Sequence, residues 1–99
     1  MRRPRRLLIS AEVAERVRRL HPDLKRKIRT TIDALLQESL SGKPLQGDLF
    51  GFHSVRVGKF RVVYRLPRES VDILTIGPRR TVYEEAERLA RRGQRTPED

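Results

Sequence analysis

Five cations and a phenol in this chain have the types and spacing to act on a phosphodiester. Arg56 and Arg61 bracket the stretch Val57-Gly58-Lys59-Phe60. Arg79 and Arg80 follow Gly77-Pro78, and Tyr83 comes four residues after Arg79. A guanidinium stays protonated, so it is no general base, but its planar fork holds phosphate and stabilises an oxyanion as charge develops. A phenol can give its proton to a leaving alkoxide, or take one where cations favour the phenolate. His53, just ahead of this stretch, is of the type that titrates near neutral pH and is a candidate base.

The spacing around Gly58 is what places these residues together. Gly58-Lys59 fits a two-residue type II′ hairpin turn, with glycine at the first central position. Val57 then pairs with Phe60, and Arg56 stands opposite Arg61 on the same face, with Cβ atoms about 5 Å apart. Like charges in that position destabilise a sheet by a few tenths to about 1 kcal/mol, so the fold gains nothing from them while a phosphate site would. A four-residue turn into the next strand pairs Leu66 with Val71 and Arg65 with Asp72, which neutralises Arg65. It also sets Ile76 beside Arg61 and delivers Arg79 and Arg80 to the same end of the sheet. The expected result is a cationic cleft with Tyr83 at its edge and Val63, Leu74 and Ile76 on the same face, in need of cover. Plainer readings compete. Arg56 or Arg61 taken singly is an ordinary solvated strand residue, and Tyr83 could be a core aromatic with a bonded hydroxyl. Tyr64 points to the core face, and His21, before Pro22, reads as a surface or capping residue.

The elements that must position these groups follow from periodicity. Arg5 to Ile9 reads as a first strand. Ser10 offers an N-cap to a helix carrying Val13, Val17 and Leu20. Pro22 opens a second helix whose stripe runs Leu24, Ile28, Ile32, Leu35, Leu36, Leu40, closed by Ser41-Gly42-Lys43-Pro44. Leu45 to Phe52 is a loop. From His53 the period becomes two, giving strands from His53 to Val57, Phe60 to Leu66 and Val71 to Ile76. Tyr83, Ala86, Leu89 and Ala90 mark a short C-terminal helix capped near Gly93. The expected fold is α+β: an antiparallel twisted sheet packed on an N-terminal helical hairpin, in the order β-α-α-β-β-β-α. It is a single domain over residues 1–99, with residues 1–4 and 94–99 as frayed tails.

Composition agrees with a polyanion partner. The 99 residues carry 23 Lys and Arg against 13 Asp and Glu, a net charge of +10, and the isoelectric point is about 11.3. A domain this basic, and biased to Arg over Lys, is expected to bind nucleic acid, RNA above all. With 36% apolar residues in patterned runs, it is not a disordered polyelectrolyte. No cysteine and two isolated histidines leave no disulfide framework and no credible metal cluster, so no cofactor or metal is expected. Phosphate-loop and serine-nucleophile motifs are absent. Arg2, Arg3, Arg5 and Arg6 before Leu7-Leu8-Ile9 imitate a signal peptide, but the apolar run is too short for that or for a membrane span. A cytoplasmic location is expected.

At these residues the chain resembles the RelE/ParE superfamily of type II toxins. Arg56-Val57-Gly58-Lys59-Phe60-Arg61-Val62-Val63-Tyr64 looks like its hairpin, and Ile76-Gly77-Pro78-Arg79 with Val82-Tyr83 like its next block. Gly42-Lys43-Pro44-Leu45 after a helical hairpin also fits, and the likeness runs from Leu7 to Leu89. For RelE-like members this implies a metal-independent, ribosome-dependent mRNA endonuclease silenced by a cognate antitoxin. The ribose 2′-OH attacks the adjacent phosphate and leaves a cyclic phosphate and a 5′-OH. Carried over by motif, Arg61 and Arg79 stabilise the phosphate, and Tyr83 transfers a proton or stacks on a base. Arg56, Lys59, Arg80 and His53 fall among the phosphate-binding positions. The chain departs from the pattern at Ser54 and Pro78, where basic residues are common, and at Lys59, where an acidic or small one is. The general base is therefore open among His53, Tyr83 and a lysine. Two alternatives remain: a ParE-like toxin that poisons DNA gyrase through protein contacts, and a non-catalytic RNA-binding module.

Overall fold

A computed structural model describes residues 3–94 of the chain. Helix α1, Ala11–Arg18, starts where expected: the Ser10 side chain accepts from the Val13 N–H at 3.1 Å. Helix α2, Pro22–Leu36, has proline in its first turn, and His21 Nδ1 accepts from the Asp23 N–H at 3.2 Å, so His21 is a cap. The helix stops at Leu36, ahead of the Gly42 end read from the sequence. Glu38 takes the left-handed conformation at φ 61° just past the C-cap. Gly42 has another job. A Cβ there would lie 2.7 Å from Tyr64 Oη, which accepts the Gly42 N–H.

The strands are β1 (Arg6–Ile9), β2 (Lys43–Pro44), β3 (His53–Val57), β4 (Phe60–Arg65) and β5 (Ser70–Pro78), in the sheet order β1-β5-β4-β3-β2. The antiparallel expectation holds for β2 to β5; β1 joins β5 in parallel, which makes the sheet mixed. A parallel partner for the first strand is available because α1, α2 and the hairpin supply the long crossover. The edge strand β2 lies in the Ser41-Gly42-Lys43-Pro44 stretch expected to close the second helix, and a 3-10 turn, Gly47–Leu49, follows it within the expected loop.

The sheet has a core on each face. Val13, Val17, Ile28, Ile32 and Leu35 of the helical hairpin bury Val57, Val62, Tyr64, Val71, Ile73 and Ile76. On the other face helix α3, Arg79–Gln94, lays Val82, Ala86 and Ala90 over Val63 and Leu49. Period-two alternation produces both from one strand, since Val62 and Val63 face opposite ways. Helix α3 is longer than the short helix expected. It begins directly at Arg79 and runs through Gly93. Residues 1, 2 and 95–99 of the expected tails lie outside the described residues, Gln94 is helical, and only Arg3 and Pro4 of the N-terminal tail remain outside regular structure.

One irregularity shifts the register. Val63 pairs with Thr75 but Tyr64 pairs with Ile73, so β5 carries an extra residue at Leu74. Arg61 therefore stands opposite Gly77, and Ile76 opposite Val62. The expectation of Ile76 beside Arg61, on the cleft face, is corrected: Ile76 is 1% exposed in the core under the helical hairpin. The bulge turns Leu74 and Thr75 toward α3, where the Thr75 hydroxyl bonds Glu85 at 2.8 Å. Arg16 of α1 closes this cluster, with a bidentate pair to Glu85 at 2.9 and 3.1 Å and donations to Thr75 Oγ1 and the Ile76 carbonyl. Three elements are pinned at one point.

Candidate functional site: a cationic cleft at the hairpin tip

The β3–β4 hairpin closes as its turn chemistry requires. Gly58 sits at φ 61°, which disfavours a side chain, and Val57 pairs with Phe60. Arg56 stands opposite Arg61. Helix α3 is tied to this tip, because the Arg79 N–H donates to the Lys59 carbonyl at 3.2 Å. The result is a shallow cleft of about 330 Å³ lined by Arg56, Gly58, Lys59, Phe60, Arg61, Pro78, Arg79 and Arg80.

Five of the seven expected site residues thus meet. Arg56, Lys59, Arg79 and Arg80 are exposed and Arg61 is half-buried. Among the described residues none of the five forms an ion pair with a carboxylate. Arg65, on the same strand, shows the contrast: Asp72 holds it at 2.9 Å, as the sequence predicts. Arg56 donates only to the Gly58 carbonyl, at 3.1 Å. Arg61 reaches Ser54 Oγ at 3.4 Å, and its buried Nε has no hydrogen-bond partner.

The helix adds to the positive potential. The first turn of α3 has no acidic residue, although acids are favoured there and cations disfavoured by about 0.3–1 kcal/mol. Arg79 and Arg80 occupy that turn instead. Facing arginines on the hairpin and arginines at a helix N-terminus are both unfavourable for the isolated fold. Both become favourable when an anion enters.

Tyr83 lies one turn beyond Arg79 on the same helical face. Its hydroxyl is 2.9 Å from Ser54 Oγ, the atom that also contacts Arg61. Ser54 is 2% exposed, so a buried hydroxyl bridges the phenol and the guanidinium. Sequence reading assigned Ser54 no part in this site. Its parity was the available signal, since Ser54 and Arg56 are two apart on one strand and share a face.

His53 is not brought to the cleft. It pairs with Tyr64 and stacks on its ring, with centroids 5.5 Å apart, on the side of the sheet covered by the helical hairpin. Its Nδ1 is buried without a partner. As a base at the cleft, His53 is set aside by the strand's own alternation. Tyr64 is core, as expected, and burial pushes its phenol pKa up despite the Gly42 N–H that it accepts. No three His, Cys, Asp or Glu side chains group to hold a metal among the described residues, and no helix there is long and apolar enough to cross a membrane.

The class of protein comes first from shape. The chain is similar to the Mycobacterium tuberculosis toxin–antitoxin complex RelBE2, with 28% identity, a TM-score of 0.66, and coverage of 77% of this chain and 99% of that one. It is similar in fold to a doubly substituted Escherichia coli RelE toxin in the free state, with 14% identity, a TM-score of 0.70, and coverage of 91% and 97%. It is also similar in fold to a chain of an archaeal RelE–RelB complex from Pyrococcus horikoshii, with 24% identity, a TM-score of 0.60, and coverage of 77% and 96%. No curated protein matches. Residues 7–83 match the family described as ParE toxin of type II toxin-antitoxin system, parDE. The chain belongs to that family, and is a type II toxin of the RelE/ParE superfamily.

Proposed function

We propose that this toxin is a metal-independent, ribosome-dependent mRNA endoribonuclease. The observation that carries the reading is the convergence of Arg56, Lys59, Arg61, Arg79 and Arg80 on one cleft, none with a carboxylate partner among the described residues. Uncompensated guanidinium and ammonium groups gathered in one cleft suit the binding and stabilisation of a phosphodiester. In the proposed reaction the 2′-OH of the mRNA attacks the adjacent phosphorus, the P–O5′ bond breaks, and a cyclic phosphate and a 5′-OH result. Arg61 and Arg79 meet the charge that builds on the non-bridging oxygens, and Arg56, Lys59 and Arg80 hold the flanking phosphates. Tyr83 gives its proton to the departing O5′.

Its partners are mRNA on the ribosome, in the cytoplasm, and a cognate antitoxin. The similar structures from M. tuberculosis and P. horikoshii are toxin–antitoxin complexes. An acidic antitoxin segment folding on this surface would neutralise the cleft.

A translating-ribosome assay with mapping of mRNA 5′ ends tests the reading. Wild type cuts within the ribosome-held codon, and Arg61→Ala or Arg79→Ala lowers cutting by about 100- to 1,000-fold with melting unchanged. The family match favours a second reading, inhibition of DNA gyrase. Intact message together with blocked gyrase supercoiling would establish it. RNA binding that weakens with salt and yields no product would leave a binding module.

A further inference from the structure

Resting on the nuclease reading, we propose that Ser54 is a positioning residue that fixes the direction of the Tyr83 hydroxyl, turning its proton out of the protein toward the scissile phosphate. Hydrogen-bond bookkeeping around one buried oxygen carries this. Ser54 Oγ has two neighbours, Tyr83 Oη at 2.9 Å and Arg61 Nη1 at 3.4 Å. Arginine only donates, so Ser54 must accept from Arg61. The Ser54 proton then needs an acceptor, and Ser54 is 2% exposed. Tyr83 Oη is the only acceptor in its reach among the described residues. Were Tyr83 to donate to Ser54 instead, the Ser54 proton would be left buried with no acceptor, which costs about 1–3 kcal/mol. The chain of donation therefore runs Arg61 N–H to Ser54 Oγ, then Ser54 O–H to Tyr83 Oη.

Two consequences follow for the reaction. The Tyr83 proton is free to be given outward. The oxygen it leaves behind already accepts a bond from a hydroxyl that is itself held by a guanidinium, so the ring oxygen stays in place through the transfer. As the P–O5′ bond breaks, the electron pair goes to O5′ and the Tyr83 proton follows it. The 2′-OH proton departs to solvent, and the phenolate recovers its proton from water.

The test separates Ser54 from the nuclease reading itself. Ser54→Ala should lower kcat by about 10- to 100-fold with KM nearly unchanged, and Ser54→Thr, which keeps the hydroxyl, should restore most of it. On an mRNA whose scissile O5′ is replaced by sulfur, a leaving group that needs no proton, the Ser54→Ala defect should disappear. An equal defect on both substrates would reduce Ser54 to a packing residue and overturn the proposal. In the full-length toxin without RNA, the deuterium isotope shift on the tyrosine Cζ carbon reports hydroxyl exchange. Rapid exchange of the Tyr83 hydroxyl is expected; slow exchange would mean that it donates inward and would sink the assignment. This readout stands even if wild type cuts no message, a result that would defeat the nuclease reading alone.

Discussion

Replacing Arg56 with alanine should leave the fold as stable as before, or slightly more so, while weakening its hold on an anion. Two opposing effects act on stability. Arg56 faces Arg61 across the β3–β4 ladder, and a like-charge pair in that position costs a few tenths to about 1 kcal/mol. Against this, the Arg56 Nε donates to the Gly58 carbonyl at 3.1 Å. On an exposed side chain such a bond contributes at the low end of about 0.5–1.5 kcal/mol. The sum falls within about half a kcal/mol of zero. In a domain of this size that moves Tm by no more than about 4 °C. Salt gives the signature. Repulsion between exposed charges is screened over about 10 Å at 0.1 M ionic strength, so the variant's advantage should be largest at low salt and fade as salt rises. A short oligoribonucleotide, by contrast, should raise the Tm of wild type more than that of the variant. Thermal melts at low and high salt, with and without the oligonucleotide, measure all of this. A Tm drop above about 8 °C, or a difference indifferent to salt, would refute the facing-arginine reasoning.

Two other perturbations probe the frame that holds the cleft. The Arg16 guanidinium holds the Glu85 carboxyl below the usual carboxylate range, against the opposing effect of burial. The pair's contribution is therefore complete above the ordinary value of 4.5 and is lost as pH falls through the lower folded value. Glu85→Gln should cost about 1–3 kcal/mol at neutral pH and flatten the acid limb of a stability–pH profile measured in urea. Gly42→Ala would place a Cβ 2.7 Å from Tyr64 Oη and 2.8 Å from the Ser54 carbonyl oxygen. The latter is backbone and cannot swing away, so a loss of about 1–3 kcal/mol in urea denaturation is expected.

The sequence makes the hairpin legible because its signals are local. Gly58-Lys59 fixes the turn, the turn fixes the register, and the register sets Arg56 opposite Arg61. Arg65 against Asp72 survives as well, because that pair lies between the β4–β5 turn, which sets the register, and the bulge that shifts it. What lies between was hidden. Val71 to Ile76 alternates without a break, and nothing in it marks the extra residue at Leu74 that carries Ile76 into the other core. The parallel seat of β1 was equally illegible, since pairing direction is a long-range choice that strand periodicity does not encode. Gly93 has the residue type of a helix cap, yet the helix passes through it. The misplacement of His53 was avoidable. Counting parity from Val55 and Val57 puts it with the core, and the same count puts Ser54 with the arginines.

The seat of β1 bears on the toxin's birth. Its partner β5 is the last of the described strands in chain order, and α3, with Arg79, Arg80 and Tyr83, comes later still. Until then a nascent chain carries three of the five cleft cations, Arg56, Lys59 and Arg61, at the hairpin tip, and its opening strand waits unpaired. The anion-holding surface is completed only once α3 has docked on the hairpin tip.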